Sequence, residues 1–263
     1  MLRRLAAALV LLTGLAVAAP STLLLRAHAH NDYQHVHPLT DALSYGYCSV
    51  EADVHVRSDA LLVAHDAAEV QAGRTLQALY LDPLRARVLS HGGHVYAEAA
   101  PFTLLVEFKD DGNATWTVFE RVIAPYHPWL TRYDAEGRHE GAVSLIITGH
   151  VPRQAMAAAP VRYAACDGDL DDLGSGVSPD LVPWVSSDWK KSFHWEGKGP
   201  IPYDDAYRLE HLVAQAHADH RKLRFWDAPD TEPVWSVLYA AGVDLINTDD
   251  LPGLQRFLSS RSR

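Results

Sequence analysis

Cysteine is nearly absent from this 263-residue chain: Cys48 and Cys166 are the only two. That excludes a disulfide-stapled fold, which needs several pairs. Basic residues are also scarce, 23 Lys and Arg against 33 Asp and Glu, for a formal charge of −10. No basic stripe offsets that balance, so a nucleic-acid footprint is excluded. Beyond the first twenty residues there is no long apolar run, no Gly-rich dinucleotide loop and no low-complexity tract. The remainder, 48% hydrophobic and 21% charged, is an ordinary globular composition with enough chain to bury a core. Histidine is what the sequence has in excess, with 15 residues.

The amino-terminal segment has its own logic. Arg3 and Arg4 precede an apolar stretch from Leu5 to Val17 and the small-residue run Ala16-Val17-Ala18. This is the pattern of a secretory signal peptide over residues 1–19, and it falls short of the roughly 20 apolar residues of a bilayer span. The expectation is a secreted or periplasmic protein with no stable membrane anchor, and one domain over residues 20–263. Losing the two arginines leaves 21 basic and 33 acidic residues, a charge of −12. In an oxidising compartment Cys48 and Cys166 are either paired or two buried thiols; the sequence leaves both open.

The rest of the chain alternates strand-like and helix-like patterns. Strands are expected at Leu23–Ala27, Cys48–Val56 with a partner segment Ala60–Ala64, Thr103–Phe108, Val143–Ile147, Val161–Ala165, Val182–Ser186, Lys222–Trp226 and Val243–Ile246. Helical periodicity lies between them, most plainly over Asp204–His220, where Ala206, Leu209, Leu212, Val213 and Ala216 share a face. Eight strands alternating with helices predict a (β/α)8 barrel of the TIM type, and catalytic groups then belong at the carboxyl ends of the strands.

Those ends are where the chemistry collects. Side chains alternate faces along a strand, so Val50, Ala52, Val54 and Val56 face the helices while Glu51, Asp53 and His55 face the barrel mouth. Glu107 and Lys109 share the inward face of the third strand, and His65 stands where an apolar segment breaks into a polar loop. Carboxylates gathered inside a barrel are costly unless neutralised, and a hard cation such as Ca²⁺ or Mg²⁺ takes such oxygens. The acidic run Asp167, Asp169, Asp171 and Asp172 lacks an EF-hand pattern and reads as a solvated loop.

The run His30-Asn31, Glu51-x-Asp53, His65-Asp66 and Glu107-x-Lys109 resembles the phosphatidylinositol-phospholipase-C-like phosphodiesterases, a barrel superfamily that includes the glycerophosphodiester phosphodiesterases. The wording around residues 28–66 is most similar to the branch named for altered inheritance of mitochondria protein 6. The resemblance implies a phosphodiester hydrolase with His30 and His65 as catalytic acid and base. It also implies one divalent ion, Ca²⁺ or Mg²⁺, on Asn31, Glu51, Asp53 and Glu107, and Lys109 near the substrate phosphate. His28 and Trp226 are further candidates for substrate contact. The partner would be a small-molecule or lipid-derived phosphodiester, not nucleic acid. Two departures qualify the substrate: Asn31-Asp32 replaces the Arg-Gly that follows the first histidine in glycerophosphodiesterases, and Pro38-Leu39-Thr40 lacks their glutamate. Two other readings compete, an amidohydrolase-like metal site on His28-x-His30 and a non-catalytic binding protein on the same barrel.

Overall fold

The structure is a computed structural model that describes residues 22–261; the expected signal peptide lies outside the described residues. In chain order come β1 (Ala27–Ala29), α1 (Thr40–Ser44), β2 (Ser49–Arg57), β3 (Ala60–Val63), α2 (Asp82–Ser90), β4 (Thr103–Phe108) and α3 (Gly112–Ile123). They are followed by β5 (Arg132–Asp134), β6 (Gly137–His139), β7 (Ser144–Gly149), α4 (Arg153–Ala158), β8 (Ala164–Gly168), β9 (Trp184–Asp188) and α5 (Trp189–Ser192). The chain ends with α6 (Tyr203–Ala218), β10 (Lys222–Trp226), α7 (Glu232–Ala241), β11 (Leu245–Thr248) and α8 (Leu251–Arg261). Eight strands, β1, β2, β4, β7, β8, β9, β10 and β11, run parallel, and the β1–β2 pairing closes the ring. This is the expected (β/α)8 barrel. β3 folds back antiparallel on β2 as a hairpin beyond the barrel wall, and β5 and β6 form a separate hairpin.

Alternation decides the two faces. Val50, Ala52 and Val54, like Leu104, Val106 and Phe108, are wholly buried in the layer shared with the helices. On the other face, Leu105, Ile146, Ala165, Trp184 and Leu245 of the barrel strands form a separate apolar cluster with Tyr133 of the β5–β6 hairpin. Against it rests a buried polar group, with His28 meeting the Trp184 ring edge-on at 5.9 Å and 85°.

Four strands begin two to four residues later than expected, and residues of their leading segments spend backbone N–H groups elsewhere. Leu24 donates to Gly46, Arg162 to Tyr133, Val182 to Ser178 and Val243 to Leu238. Hydrophobicity therefore starts before the ladder does. The shift carries Asp167 into β8, which corrects the solvated acidic loop at Asp167 and Asp172, while Asp169 and Asp171 are exposed as expected. Asp167 is buried and accepts from Ser186 Oγ and Thr148 Oγ1, and Asp172 takes both Nη groups of Arg153 at 2.7 and 2.6 Å. Cys48 and Cys166 are both buried free thiols. No described helix is long and apolar enough to cross a membrane.

Candidate active site

The parallel register of β2 and β4 sets Asp53 directly beside Glu107. With Glu51 two residues back on the same face, the three carboxylates offer oxygens that all lie within 4.8 Å of one another. Three anions this close repel, and two cations answer them. Lys109 Nζ lies 2.8 Å from Asp53 Oδ2 and 2.9 Å from Glu107 Oε1, while Arg224 Nη1 is 2.6 Å from Glu51 Oε2. Burial would raise Glu51, yet Arg224 and His28 hold its carboxyl well below the usual range. Asp53 is less well served. Burial, with Glu51 and Glu107 beside it, pushes its carboxyl up to about 6 despite Lys109.

That residual negative charge has a defined geometry. Asp53 Oδ1 is buried with no hydrogen-bond partner among the described residues. Among the described residues Glu51 Oε1 and Glu107 Oε2 make no hydrogen bond either; the ion pairs fall on the opposite oxygen of each. The Tyr33 hydroxyl, 2.9 Å from Asn31 Oδ1 and 2.8 Å from Asp53 Oδ2, links the Asn31 amide to the same group. Asn31 holds a left-handed backbone at φ 45°, a conformation Asn adopts more readily than most residues. Uncommitted carboxylate oxygens beside an amide oxygen suit a hard divalent cation.

The two histidines come from different elements. His30 follows β1, and its Nδ1 lies 2.9 Å from Asp249 Oδ1 in the loop after β11. Burial alone would lower His30, but the Asp249 contact and the charge of Glu51 outweigh it and raise the imidazole above its usual value. His65 follows the β2–β3 hairpin and is half exposed, with Asp66 at 3.6 Å. Its carbonyl lies 3.3 Å from His55 Nε2, and His55 Nδ1 is 3.4 Å from Asp110. His55 thus supports the loop that carries His65. Both histidines line a cavity of about 440 Å³, together with Asn31, Glu51, Glu107, Lys109, Arg224 and Trp226. A larger cleft of about 810 Å³ lies at Val88–His94 and Pro128–Trp129 and holds none of these groups.

Of the expected site residues, His30, Asn31, Glu51, His65, Glu107, Lys109 and Trp226 meet at this cavity, with Asp53 buried behind it. His28 is the exception and is corrected. It is wholly buried, with Nδ1 2.7 Å from Ser49 Oγ and Nε2 between Glu51 at 2.9 Å and Arg224 at 2.8 Å. Burial and the Arg224 charge pull its ring down to about 4, against the Glu51 contact. A neutral, sealed imidazole neither touches substrate nor completes a His28-x-His30 metal pair, so the amidohydrolase-like reading loses its one feature. Arg224 and Tyr33 were not anticipated. Alternation with Trp226 along Lys222–Trp226 carried the signal for Arg224.

The family described as the AIM6-like phosphodiesterase domain matches residues 21–165, and the glycerophosphoryl diester phosphodiesterase family matches residues 222–252. The chain is 28% identical to altered inheritance of mitochondria protein 6 of Eremothecium gossypii, over 89% of this chain and 69% of that protein. It is also 28% identical to the Arthroderma benhamiae homolog, over 85% of this chain and 81% of that protein. Among solved structures it resembles an Oleispira antarctica phosphodiesterase in complex with the product sn-glycerol-3-phosphate, with a TM-score of 0.55 at 13% identity over 90% of this chain and 97% of that one. A glycerophosphodiester phosphodiesterase from Agrobacterium tumefaciens gives 0.53 at 16%, over 90% and 100%. At such identities these neighbours speak to the fold, while the family match over more than half the sequence speaks to descent. The chain belongs to the AIM6-like phosphodiesterase domain family.

Proposed function

We propose that this protein is a divalent-cation-dependent phosphoric diester hydrolase that uses His30 and His65 for proton transfer. One observation carries the reading: three carboxylates with uncommitted oxygens stand in one barrel mouth with two imidazoles and two cationic side chains. Glu51, Asp53, Glu107 and Asn31 would hold the cation, which when bound polarises the phosphoryl oxygen and offsets charge growing in the transition state. The protein's own groups do the rest. His30 turns Nδ1 to Asp249, which leaves Nε2 to exchange a proton with the reacting oxygens. His65 supplies the second exchange, so that one ring accepts from the attacking hydroxyl while the other donates to the leaving oxygen. Lys109 attracts the phosphate. The charges also balance. Three carboxylates against Lys109 and Arg224 leave one negative charge, a divalent ion turns it to one positive, and a diester brings one negative. A small-molecule or lipid-derived diester fits the cavity's size, and export through residues 1–19 belongs to the same reading.

The test is hydrolysis of bis(p-nitrophenyl) phosphate by the purified protein, after EDTA and then with Ca²⁺, Mg²⁺ or Mn²⁺ restored. Activity that EDTA removes, an ion restores and His65→Ala reduces by about 10²-fold or more supports the reading. Absence of turnover with every ion, together with no calorimetric metal binding, overturns it.

A further inference from the structure

We propose that Arg224 is a substrate-binding residue whose free Nη2 takes a non-bridging phosphate oxygen, opposite Lys109 across the barrel mouth. The inference rests on the phosphodiesterase reading and adds to it the residue that grips the anion. Arg224 is 3% exposed on β10. Its Nη1 donates to Glu51 Oε2 at 2.6 Å and Asn247 Oδ1 at 3.2 Å, and its Nε donates to Ser186 Oγ at 3.1 Å. Nη2 has no acceptor among the described residues. It is nevertheless absent from the sealed polar atoms, and Arg224 lines the 440 Å³ cavity.

A buried guanidinium usually satisfies its whole fork of five N–H donors, because an unmet charged donor is costly. Here Nε and Nη1 fix the plane of the fork, so the direction of Nη2 is fixed too. In the ring of eight strands β10 lies four places from β4, diametrically across. Lys109 and Arg224 thus face the cavity from opposite walls. An anion between them receives a point charge on one side and rigidly aimed N–H donors on the other, a geometry that suits phosphate.

A purely structural Arg224 would only neutralise Glu51, and Arg224→Lys separates the two roles. The variant keeps a cation beside Glu51 and loses the aimed second donor. Binding of inorganic phosphate by calorimetry, to the metal-loaded and the metal-free protein, should weaken about tenfold or more in the variant. The Michaelis constant for bis(p-nitrophenyl) phosphate should rise by a similar factor, with kcat changed much less and Tm preserved. If Arg224→Lys does not fold, Ser186→Ala serves instead, because it loosens the Nε end without touching the charge; phosphate affinity should then fall threefold or more. Phosphate binding as tight as wild type in the folded variant overturns the assignment. Failure of the wild type to hydrolyse any diester would instead defeat the function proposed above, and the phosphate titration would still decide the role of Arg224.

Discussion

Asp167 is a buried carboxyl on β8 whose value burial pushes up to about 6, against the pull of Arg224 and the hydroxyls of Ser186 and Thr148. The folded chain therefore binds this proton more tightly than the unfolded chain. Its contribution is most favourable below the ordinary carboxylate value and is lost as pH rises through about 6. Relative to Asp167→Asn, the wild type should lose about 3 kcal/mol between about pH 4 and pH 7. Urea unfolding of both proteins across that range measures it, and a constant difference contradicts it. The His30–Asp249 contact makes a second prediction. Asp249→Asn removes the anion that helps raise His30, so the corresponding limb of the kcat/KM profile should move to lower pH. At this scale Glu51, Asp53 and Glu107 were legible because period-two alternation is local. The partners of Glu51 and His30 were not, since Arg224 stands 173 residues and Asp249 219 residues away along the chain.

Elements carry those side chains to their places, and the end of β7 shows how narrowly. Gly149 has φ +72°, and a Cβ there would come within 2.6 Å of the Phe108 carbonyl and 2.7 Å of Glu107 Cγ. Gly149→Ala should cost about 1–3 kcal/mol from the left-handed backbone and crowding together. By moving Glu107 it should also weaken Ca²⁺ or Mg²⁺ affinity, so unfolding and metal titration of one variant test both. The β2–β3 hairpin turns through Ser58 and Asp59 at φ 48° and 65°, where Asn-Gly is the favoured pair. Replacing both relieves the left-handed backbone cost and should stabilise the fold by about 0.5–1 kcal/mol, less the glycine's added unfolded-state entropy and the small worth of the exposed Asp59–Arg121 pair; a lower Tm would show that the turn is already relaxed. Strand identity was readable from apolar runs, but strand starts were not. Caps and turns draw off the first N–H groups, and only the fold reveals their acceptors.

Across the whole molecule, the alternating pattern was enough to anticipate eight strands closing into a barrel, because each helix can bury its stripe only against the sheet beside it. What the pattern could not convey was how the interior divides between an apolar cluster around Trp184 and a buried polar network around Arg224. If the carboxylate cluster takes a cation, ligand linkage predicts a higher Tm. A hundredfold excess of free ion over its dissociation constant should add about 2.7 kcal/mol, and thermal melts with Ca²⁺, Mg²⁺ or EDTA read it directly. Glu51, Asp53 and Glu107 are brought together by the hydrogen-bonded register of neighbouring strands, not by a loop that must close. The consequence is kinetic: an ion arriving at this site finds it assembled, so uptake in a stopped-flow experiment should be a single phase whose rate rises linearly with ion concentration, with no slow rearrangement behind it.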